Sequence, residues 1–353
     1  MRTRRITEGK VKLWVPKEKL YEAAVFYNPA AELSRDISVA ALQAYQRHAG
    51  KTITVCDALS GTGIRGIRYA KEVKGIRKSV MVDKNPLAIR LIKKNIKENN
   101  CKKCEAVKDD VNHYLYSGVV FDFIDIDPFG SPNIYLDSAA RSIFHLGFVG
   151  ITATDTAPLS GSYPDACFRK YGIRSVKTDY YAELGLRILL SHSILAFTKR
   201  DRALVPMLCF ADKHYFRIFG KMEHSGKIKS ILKQFGYIKE NDQTIGPIYL
   251  GKLNDKKFCK QVLEEVKKRK FEKDRASLIS LVYSELDVPF YYDLHKLVKK
   301  MRLGKVPKTE AVMEELAKKH FRVSRTHFCP TALKTDASLE EVKKILKRFY
   351  AGG

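Results

Sequence analysis

The sequence contains no run of 18 or more apolar residues, although 45% of its 353 residues are hydrophobic. A helix needs about 20 such residues to cross a bilayer, so no membrane span is predicted. The first residues, MRTRRITEGKVKLWVPKEK, are basic but have no apolar segment of signal-peptide length. We therefore expect a cytoplasmic protein.

Cysteine is scarce and is not arranged as a disulfide framework. An odd number of residues, scattered through apolar or helical contexts, favours free thiols. They are Cys56, Cys101, Cys104, Cys167, Cys209, Cys259 and Cys329. Only Cys101 and Cys104 have the spacing of metal ligands. Because no second pair of Cys or His lies nearby, a structural role is favoured over half of a zinc site.

Acidic residues are in deficit, with 39 Asp and Glu against 65 Lys and Arg and a formal net charge of +26. Such an excess attracts polyanions, so nucleic acid is the leading predicted partner and an anionic membrane surface a distant second. About half of the charge lies in residues 219–353, so both halves of the chain can contact one large folded RNA. The lysine-rich surfaces of heat-stable proteins are a competing explanation for part of the excess.

Residues 52–127 alternate between hydrophobic strands and amphipathic helices, which is typical of a nucleotide-binding α/β sheet. The first strand ends at Asp57 and leads into SGTGIRG, where Gly61 lets the backbone pass close to a ligand. These glycines fit GxGxxG, a pattern that cannot separate S-adenosylmethionine from nicotinamide dinucleotides. The second strand ends at Asp83, which can accept both ribose hydroxyls. The third ends just before Asp110, an acid that suits the exocyclic amine of an adenine.

Residues 121–132, FDFIDIDPFGSP, predict a fourth strand that brings Asp127 to the same sheet edge. Asp127 and the Pro128 carbonyl can accept the two N–H bonds of an amino group on a flat base, while Phe129 can stack on the ring. The alternative is a turn that only ends the strand. Acids at the first three strand ends favour an S-adenosylmethionine-dependent methyltransferase, because dehydrogenases have no obvious use for DPFGSP.

The rest of the first 220 residues predicts elements that complete this sheet. They are a strand or hairpin over 3–15, a helix from Pro29 to about Gln46, a helix over 133–145, a fifth strand ending near 154–155, a long loop over 158–178, a helix over 181–198, and two antiparallel strands over 204–210 and 215–219. The loop lies at the ligand edge, where a substrate lid is expected. Phe26, in the loop before the first helix, is a core plug or a base-stacking ring.

Beyond about residue 221 the sequence predicts helices separated by short turns, over 228–235, 256–270, 277–286, 291–301, 308–320 and 339–349. Helix, turn, helix and the strand RVSRTHF follow one another in the order of a winged-helix module, and many such modules lie on nucleic acid. A plain helical scaffold is the alternative. We therefore expect the α/β class, with a Rossmann-like class I methyltransferase sheet in residues 1–220 and a smaller, mainly helical, winged-helix-like α+β domain in residues 221–353.

Several motifs occur together and cover almost the whole chain: EGK near the start, VFYNP followed by Arg35-Asp36, DALSGTGIRG, DKNP, DIDPFGSP, TATDTAPLSG, DKHYFR and RTHFCPTALKT. In these motifs the chain resembles the archaeal form of the tRNA guanine-N2 dimethyltransferases that act at position 26 of tRNA. The resemblance implies S-adenosyl-L-methionine as cofactor and tRNA as partner. It implies transfer of one or two methyl groups to the N2 amine of guanine 26, and tRNA binding by residues 221–353.

The resemblance also implies site residues. The positions that match the family's cofactor-binding residues are Arg35, Arg65, Asp83, Asp110 and Val111, and those that match its base-binding residues are Phe26, Asp127, Pro128 and Phe129. Many relatives carry a cysteine cluster for zinc shortly before a GPxxLG stretch. Here GPIYLG, residues 246–251, is preceded by ENDQTI without cysteine, so we predict no metal.

Two alternatives remain open from the sequence. An acid, a proline and an aromatic ring also serve enzymes that methylate adenine N6 or cytosine N4, so the substrate can be ribosomal RNA or DNA. A non-catalytic RNA-binding protein can also keep this fold. Intact Asp83 and Asp127 argue against a non-catalytic protein, because RNA binding alone requires neither.

Overall fold

The computed structural model describes residues 1–18, 22–240 and 242–350. The chain begins with a hairpin of strands β1 (Thr3–Glu8) and β2 (Val11–Pro16), as residues 3–15 predict. Alternate residues of β2 are fully buried against isoleucines of two helices that cover the main sheet. The hairpin is therefore a separate two-stranded sheet fixed to the main fold by its apolar face.

A seven-stranded sheet forms the centre of the molecule. Its strands are β3 (Ile53–Ala58), β4 (Ile76–Asp83), β5 (Cys104–Lys108), β6 (Phe121–Ile126), β7 (Ile143–Ala153), β8 (Ala203–Asp212) and β9 (Tyr215–Glu223). The spatial order is β5-β4-β3-β6-β7-β9-β8, with β3 to β7 parallel and β9 antiparallel to both of its neighbours. The predicted α/β class and the closing pair of antiparallel strands are confirmed.

Helices cover both faces of this sheet, so the central strands β3 and β6 are buried at every residue. The helices are α1 (Glu32–Ala49), α2 (Ile64–Glu72), α3 (Pro86–Glu98), α4 (Val111–Tyr116), α5 (Leu136–Ser142), α6 (Thr156–Leu159), α7 (Pro164–Tyr171) and α8 (Tyr181–Thr198). Their starts follow local signals. The Asn85 side chain accepts a hydrogen bond from Leu87 N, and Pro86 occupies the first turn of α3.

Two sequence predictions in this part are wrong. Residues 158–178 are not one long loop, because α7 begins at Pro164 and ends at Gly172, which has a φ of 74°. Only Cys167 and Tyr171 of this short helix are buried, which leaves little periodicity for a sequence pattern to show. The helix predicted to reach residue 145 ends at Ser142, because Ile143 already pairs with Phe121 in the sheet.

The remaining elements are α9 (Ile228–Leu232), β10 (Phe235–Glu240), β11 (Gln243–Tyr249), α10 (Lys256–Lys268), α11 (Lys273–Ser284), β12 (Tyr292–Asp293), α12 (Leu294–Lys300), α13 (Thr309–Lys318), β13 (Val323–Arg325), β14 (Ala332–Thr335) and α14 (Leu339–Arg348). The prediction of helices alone between 221 and 256 is wrong. Residues 235–249 form a hairpin whose buried side chains, Ile245, Ile248 and Tyr249, join the main core. Tertiary packing therefore decides the structure of this segment.

The hydrophobic cores do not follow the predicted boundary near residue 220. Helices α10 and α11 pack against α1 and share a core with the main sheet. A separate core lies within residues 294–346, where α12, α13 and α14 cover a three-stranded sheet in the order β12-β14-β13. The domain boundary near residue 220 stays a prediction. Within the described residues, no helix is both long and apolar enough to span a membrane.

Candidate active site

The predicted ligand-binding acids gather where the strand order reverses, between β3 and β6. Asp57 lies in β3, Asp83 ends β4 and Asp127 directly follows β6. The carboxyl ends of these parallel strands share one edge of the sheet. In open α/β sheets, ligands bind in the crevice at such a reversal.

The turn between β3 and α2 requires its glycines. Gly61 and Gly63 have φ values of 54° and 77°, in the left-handed region that residues with a Cβ rarely adopt. A Cβ on Gly61 would also lie 2.9 Å from the Phe26 carbonyl oxygen. The glycine turn and the loop that carries Phe26 therefore approach each other more closely than any side chain at position 61 allows.

The carboxylate of Asp83 is held at this turn by two backbone groups. Its Oδ2 accepts a hydrogen bond from Gly61 N at 2.8 Å, and its Oδ1 accepts one from Asn85 N at 2.8 Å. Burial raises the pKa of Asp83, and the two backbone donors partly offset this. Each oxygen keeps a lone pair, so the oriented carboxylate can accept two further hydroxyl groups.

Asp110 and Val111 begin α4 beside the same edge. Asp110 Oδ1 accepts a hydrogen bond from Asn112 N at 2.9 Å and so caps the helix, while Val111 is buried in the main core. Burial, and then the negative charges of Asp110 and Asp83, raise the pKa of the Tyr135 phenol. Tyr135 was not predicted as a site residue. Its position in the turn after DPFGSP is the signal that could have indicated it.

Asp57 lies beneath the glycine turn rather than at its open side. The residue is 1% exposed, and its Oδ2 accepts a hydrogen bond from Gly66 N at 2.9 Å. Burial and the neighbouring Asp125 raise the pKa of Asp57 to about 8. Its visible contact therefore supports the backbone at the start of α2.

Arg35 contacts two motifs that precede it in the sequence. Its Nε and Nη2 each donate to a carboxylate oxygen of Glu8 at 2.6 Å, and its Nη1 donates to the Asn28 carbonyl at 3.0 Å. Burial raises the pKa of Glu8, but Arg35 and Arg68 lower it further, so the net shift is downward. Arg35 thus connects EGK and the start of α1 to VFYNP, the loop that carries Phe26.

Arg65 contacts Asp127 directly. Its Nε and Nη2 both lie 2.6 Å from Asp127 Oδ2, while Nη1 donates to Ser38 Oγ and Nη2 to Ser34 Oγ, each at 3.0 Å. Burial raises the pKa of Asp127, but the positive charges of Arg65 and then Arg217 lower it, and the net shift is downward. The side chain is 24% exposed. Asp127 is therefore an ionised, oriented carboxylate that remains accessible.

A second, fully buried ion pair lies behind this contact. Arg217 Nη1 donates to Asp125 Oδ1 and to Thr152 Oγ1, each at 2.7 Å, and the Tyr69 hydroxyl donates to Asp125 Oδ2. A Cβ on Gly150 would lie 2.5 Å from Arg217 Nη2, so a glycine is required there. Sequence reasoning missed these residues. The signals were Asp125, the first acid of DIDPFG, and Arg217, the arginine of DKHYFR, because a charged residue is unexpected on a buried strand.

Two exposed aromatic rings contact each other, one from the loop before α1 and one two residues after Asp127. The Phe26 and Phe129 rings are 42% and 66% exposed, and their centroids are 5.6 Å apart at an interplanar angle of 51°. Gly130, with a φ of 103°, donates its N–H to Thr154 Oγ1 at 2.7 Å and accepts from Thr154 N at 3.0 Å. The turn that carries Phe129 is therefore fixed to the end of β7.

Helix α7 is also attached to this turn. The Tyr171 hydroxyl donates to Asp155 Oδ1 at 2.7 Å and accepts from Ser131 Oγ at 3.1 Å. The segment predicted as a lid thus contacts the DPFGSP motif through α7.

Within the described ranges, no group of three or more His, Cys, Asp or Glu residues is placed to hold a metal ion. The Sγ atoms of Cys101 and Cys104 lie 2.7 Å apart at the start of β5, on the sheet edge opposite the crevice. The absence of a metal from the function stays a prediction.

Comparison with known proteins agrees with this geometry. The family model for N2,N2-dimethylguanosine tRNA methyltransferase matches residues 9–241 and 238–347. A tRNA (guanine(26)-N(2))-dimethyltransferase of Methanosphaera stadtmanae is 38% identical, over 98% of this chain and 97% of its own length. The corresponding protein of Methanothermobacter thermautotrophicus is 35% identical, over 97% and 98% of the two chains.

A solved structure shows the same fold over nearly the full length. Trm1 from Pyrococcus horikoshii, in complex with S-adenosyl-L-methionine, superposes with a TM-score of 0.89 at 31% identity, covering 97% of this chain and 99% of that one. The predicted Rossmann-like methyltransferase fold and the predicted cofactor are confirmed. The chain therefore belongs to the family of S-adenosylmethionine-dependent N2,N2-dimethylguanosine tRNA methyltransferases.

Proposed function

We propose that this protein transfers one or two methyl groups from S-adenosyl-L-methionine to the exocyclic N2 amine of guanine 26 in tRNA. The relatives' names support this substrate and position. The observation that carries the proposal is the accessible, ionised Asp127 carboxylate, which Arg65 holds two residues before the exposed Phe129 ring that contacts Phe26. An oriented acceptor beside exposed rings suits a flat base with an amino group.

The residues at the carboxyl ends of β3, β4 and β5 fit the cofactor. Asp83 presents two oriented oxygens to the ribose hydroxyls, and the glycine turn, with positive φ at Gly61 and Gly63, lets the backbone pass close to a ligand. Asp110 and Val111 are placed for the adenine. S-adenosyl-L-methionine supplies an electrophilic methyl group on a sulfonium.

We propose supporting roles for the remaining predicted cofactor residues. Asp57 holds the start of α2, and Arg35 holds the loop that carries Phe26. Arg65 holds Asp127. These residues then affect cofactor binding indirectly, because they fix the backbone of the site and the Asp127 carboxylate.

Base capture requires the two rings to separate. Phe26 and Phe129 contact each other, so a base that stacks between them must push them apart. Both rings are exposed, and the aromatic χ2 torsion is broad, so this movement has a low cost. The Asp127 carboxylate and the Pro128 carbonyl then accept the two N–H bonds of the guanine amine.

The guanine amine is a weak nucleophile because its lone pair is delocalised into the ring. Asp127 polarises the N–H bonds and holds the nitrogen towards the methyl group, and its negative charge complements positive charge that develops on that nitrogen. Transfer forms the N–C bond, breaks the bond between the methyl group and sulfur, and releases one amine proton, which the Asp127 carboxylate can accept. One N–H then remains to bind an acceptor. Dimethylation therefore requires room for the first methyl group beside Asp127.

We further propose that residues 1–220 form the catalytic part with its N-terminal extension, and that residues 221–353 bind tRNA. Exposed cations from the end of α12 to the residue before α13 support the second assignment. They are Lys299, Arg302, Lys305 and Lys308.

Transfer of labelled methyl groups to unmodified tRNA, with mapping of the modified nucleotide, tests the function. We expect label on N2 of guanine 26 and none on a transcript with adenine at that position. Duplex DNA and ribosomal RNA fragments serve as competing substrates. Label on either of them, with none on tRNA, would rule out the proposed substrate.

A further inference from the structure

Ser38, in the second turn of α1, contacts both buried arginines of the site. The residue is completely buried. Its Oγ accepts a hydrogen bond from Arg65 Nη1 at 3.0 Å and a second one from Arg217 Nη2 at 3.2 Å. Because Arg65 belongs to α2 and Arg217 to β9, a single hydroxyl on a third element links the two guanidinium groups.

The hydrogen-bonding capacity of this hydroxyl is fully used. It donates to the Ser34 carbonyl oxygen, one turn earlier in α1, at 2.6 Å. A hydroxyl has one proton and two lone pairs, and a guanidinium only donates. The Ser38 proton therefore points along α1, and its two lone pairs accept from the two arginines. The helix thus fixes the direction from which each guanidinium must approach.

This restraint matters because Arg65 lies between two carboxylates. Its Nε and Nη2 lie 2.6 Å from Asp127 Oδ2, and its Nη1 lies 3.6 Å from Asp125 Oδ2. Without the hydroxyl of Ser38, Nη1 would be a buried donor that has lost its hydrogen bond, which is costly. A small rotation of the guanidinium would bring Nη1 to Asp125. The same rotation would move Nε and Nη2 away from Asp127.

We propose that Ser38 is a positioning residue for methyl transfer, whose hydroxyl holds the Arg65 guanidinium in the orientation that presents Nε and Nη2 to Asp127. This inference rests on the proposed function of Asp127. Ser38 touches neither the base nor the cofactor in this proposal, and it acts through Arg65. Methyl transfer depends on such orientation, because small misplacements of the reacting nitrogen slow it strongly.

The orientation of Arg65 also affects the charge on Asp127. Burial raises the pKa of Asp127, but the positive charges of Arg65 and then Arg217 lower it, and the net shift is downward. If Arg65 turns away, the pKa of Asp127 should rise, and the acid limb of the pH–rate profile should move to higher pH. The charged and titratable groups around this carboxylate are Arg65 of α2, Arg217 and Tyr215 of β9, Asp125 of β6 and Asp57 of β3.

Ser38→Ala removes the hydroxyl and keeps the rest of the side chain. The matched control is Ser193→Ala, because Ser193 is also completely buried and donates to Leu189 O, one turn earlier in α8, at 2.8 Å. Among the described residues, no arginine donates to Ser193. The full-length variants are compared in single-turnover methyl transfer to unmodified tRNA at saturating cofactor, over a range of pH.

Two further substitutions at position 38 complete the set. Ser38→Thr keeps the hydroxyl and measures rescue. Ser38→Cys replaces the oxygen by sulfur, which is only a weak acceptor. It gives the same comparison as Ser38→Ala if the alanine variant does not fold. Circular dichroism checks the fold of each variant.

We expect Ser38→Ala to slow transfer about tenfold, as loss of a hydrogen bond to a charged group implies, and to move the acid limb to higher pH. Binding of tRNA should be nearly unchanged. Ser38→Thr should recover most of the rate and the original acid limb. Ser193→Ala should keep both the rate and the profile of the unsubstituted protein.

A rate and an acid limb for Ser38→Ala that match those of Ser193→Ala would overturn the positioning role. A folded Ser38→Thr that is as slow as Ser38→Ala would also overturn it, because the hydroxyl would then not determine the rate. Asp127→Asn in the same assay separates the two levels of the argument. If Asp127→Asn is slow while Ser38→Ala is normal, only the role of Ser38 is wrong. If Asp127→Asn is itself normal, the assignment of Asp127 is wrong and the role of Ser38 is wrong with it.

Discussion

At the scale of single residues, the proposed chemistry depends most on Asp127, because its carboxylate is both ionised and accessible. Asp127→Asn keeps the size and one acceptor oxygen but removes the charge and presents an NH2 group to the guanine amine. We expect single-turnover transfer to slow by roughly a hundredfold or more, about 3 kcal/mol of transition-state stabilisation, with tRNA and cofactor affinity nearly unchanged. A near-normal rate in a folded variant would mean that DPFGSP is only a turn.

The rings should contribute to binding rather than to the transfer step. Phe129→Ala should weaken tRNA binding by about 1 to 3 kcal/mol, the usual value of one base stack, with a smaller effect on the single-turnover rate at saturating tRNA. Phe144→Ala is the control, since Phe144 is 40% exposed at the start of β7, far from the crevice. Equal effects of the two substitutions on the tRNA dissociation constant would contradict a stacking role.

At the scale of elements, the glycine turn is the feature most sensitive to substitution. Gly61→Ala adds a Cβ 2.9 Å from the Phe26 carbonyl at a φ of 54°. Gly50→Ala is a matched control, because Gly50 has a φ of 63° but no atom within 4 Å of an added Cβ. Both should lose about 1 kcal/mol of stability from backbone strain.

Only Gly61→Ala should also weaken cofactor binding in calorimetry, because it displaces the Phe26 loop and the N–H that orients Asp83. Equal cofactor affinity in the two variants would show that the close approach at Gly61 has no role in the site.

Elements with strong local signals could be predicted from the sequence. The strands that end near Asp57, Asp83 and Asp127 are rich in β-branched and aromatic residues and are bounded by turn residues, and the 18-residue helix α8 is mainly apolar. The hairpin of β10 and β11 and the short helix α7 could not be predicted, because partners elsewhere in the chain stabilise them.

The same distinction applies to the site. Asp83, Asp127 and Phe129 stand at strand ends, where a sequence pattern can place them. The contact between Arg65 and Asp127 joins residues 62 positions apart, and that between Thr152 and Arg217 joins residues 65 positions apart. Such side-chain pairs depend on strand order and register, which the sequence pattern alone does not determine.

At the scale of the whole molecule, the net charge of +26 should control encounter with tRNA. The logarithm of tRNA affinity should fall linearly with that of salt, with a slope of several units. Replacing Lys299, Arg302 and Lys305 by Ala should reduce the slope by about 2 to 3 if each contacts a phosphate. The same replacement of Arg77, Lys102 and Lys103, exposed at the edge opposite the crevice, should leave it unchanged. Equal slopes for the two triple variants would place the tRNA elsewhere.

Buried charges join the C-terminal part to the sheet domain. Lys334 Nζ lies 3.0 Å from Glu183 Oε2 and 3.7 Å from Glu285 Oε2, and all three side chains are at most 2% exposed. Burial raises the pKa of Glu285, but His327 and Lys334 lower it, to a net value of about 2. A carboxylate whose pKa is lower in the folded than in the unfolded state stabilises the fold at pH values above its unfolded pKa. The contribution of Glu285 should therefore be lost as the pH falls from about 4.5 towards 2.

Lys334→Met keeps the aliphatic stem but removes the cation that Glu183 and Glu285 share, while Arg187 still contacts Glu183 and His327 still contacts Glu285. We expect a loss of roughly 3 to 5 kcal/mol in the free energy of unfolding at neutral pH, because removing one partner of a buried ion pair is costly. Lys344→Met is the control, since Lys344 is 66% exposed in its pair with Glu341 and its replacement should leave the free energy of unfolding nearly unchanged. Urea unfolding followed by circular dichroism measures both. If the two variants unfold at the same urea concentration, the buried pair does not hold the C-terminal part against the sheet.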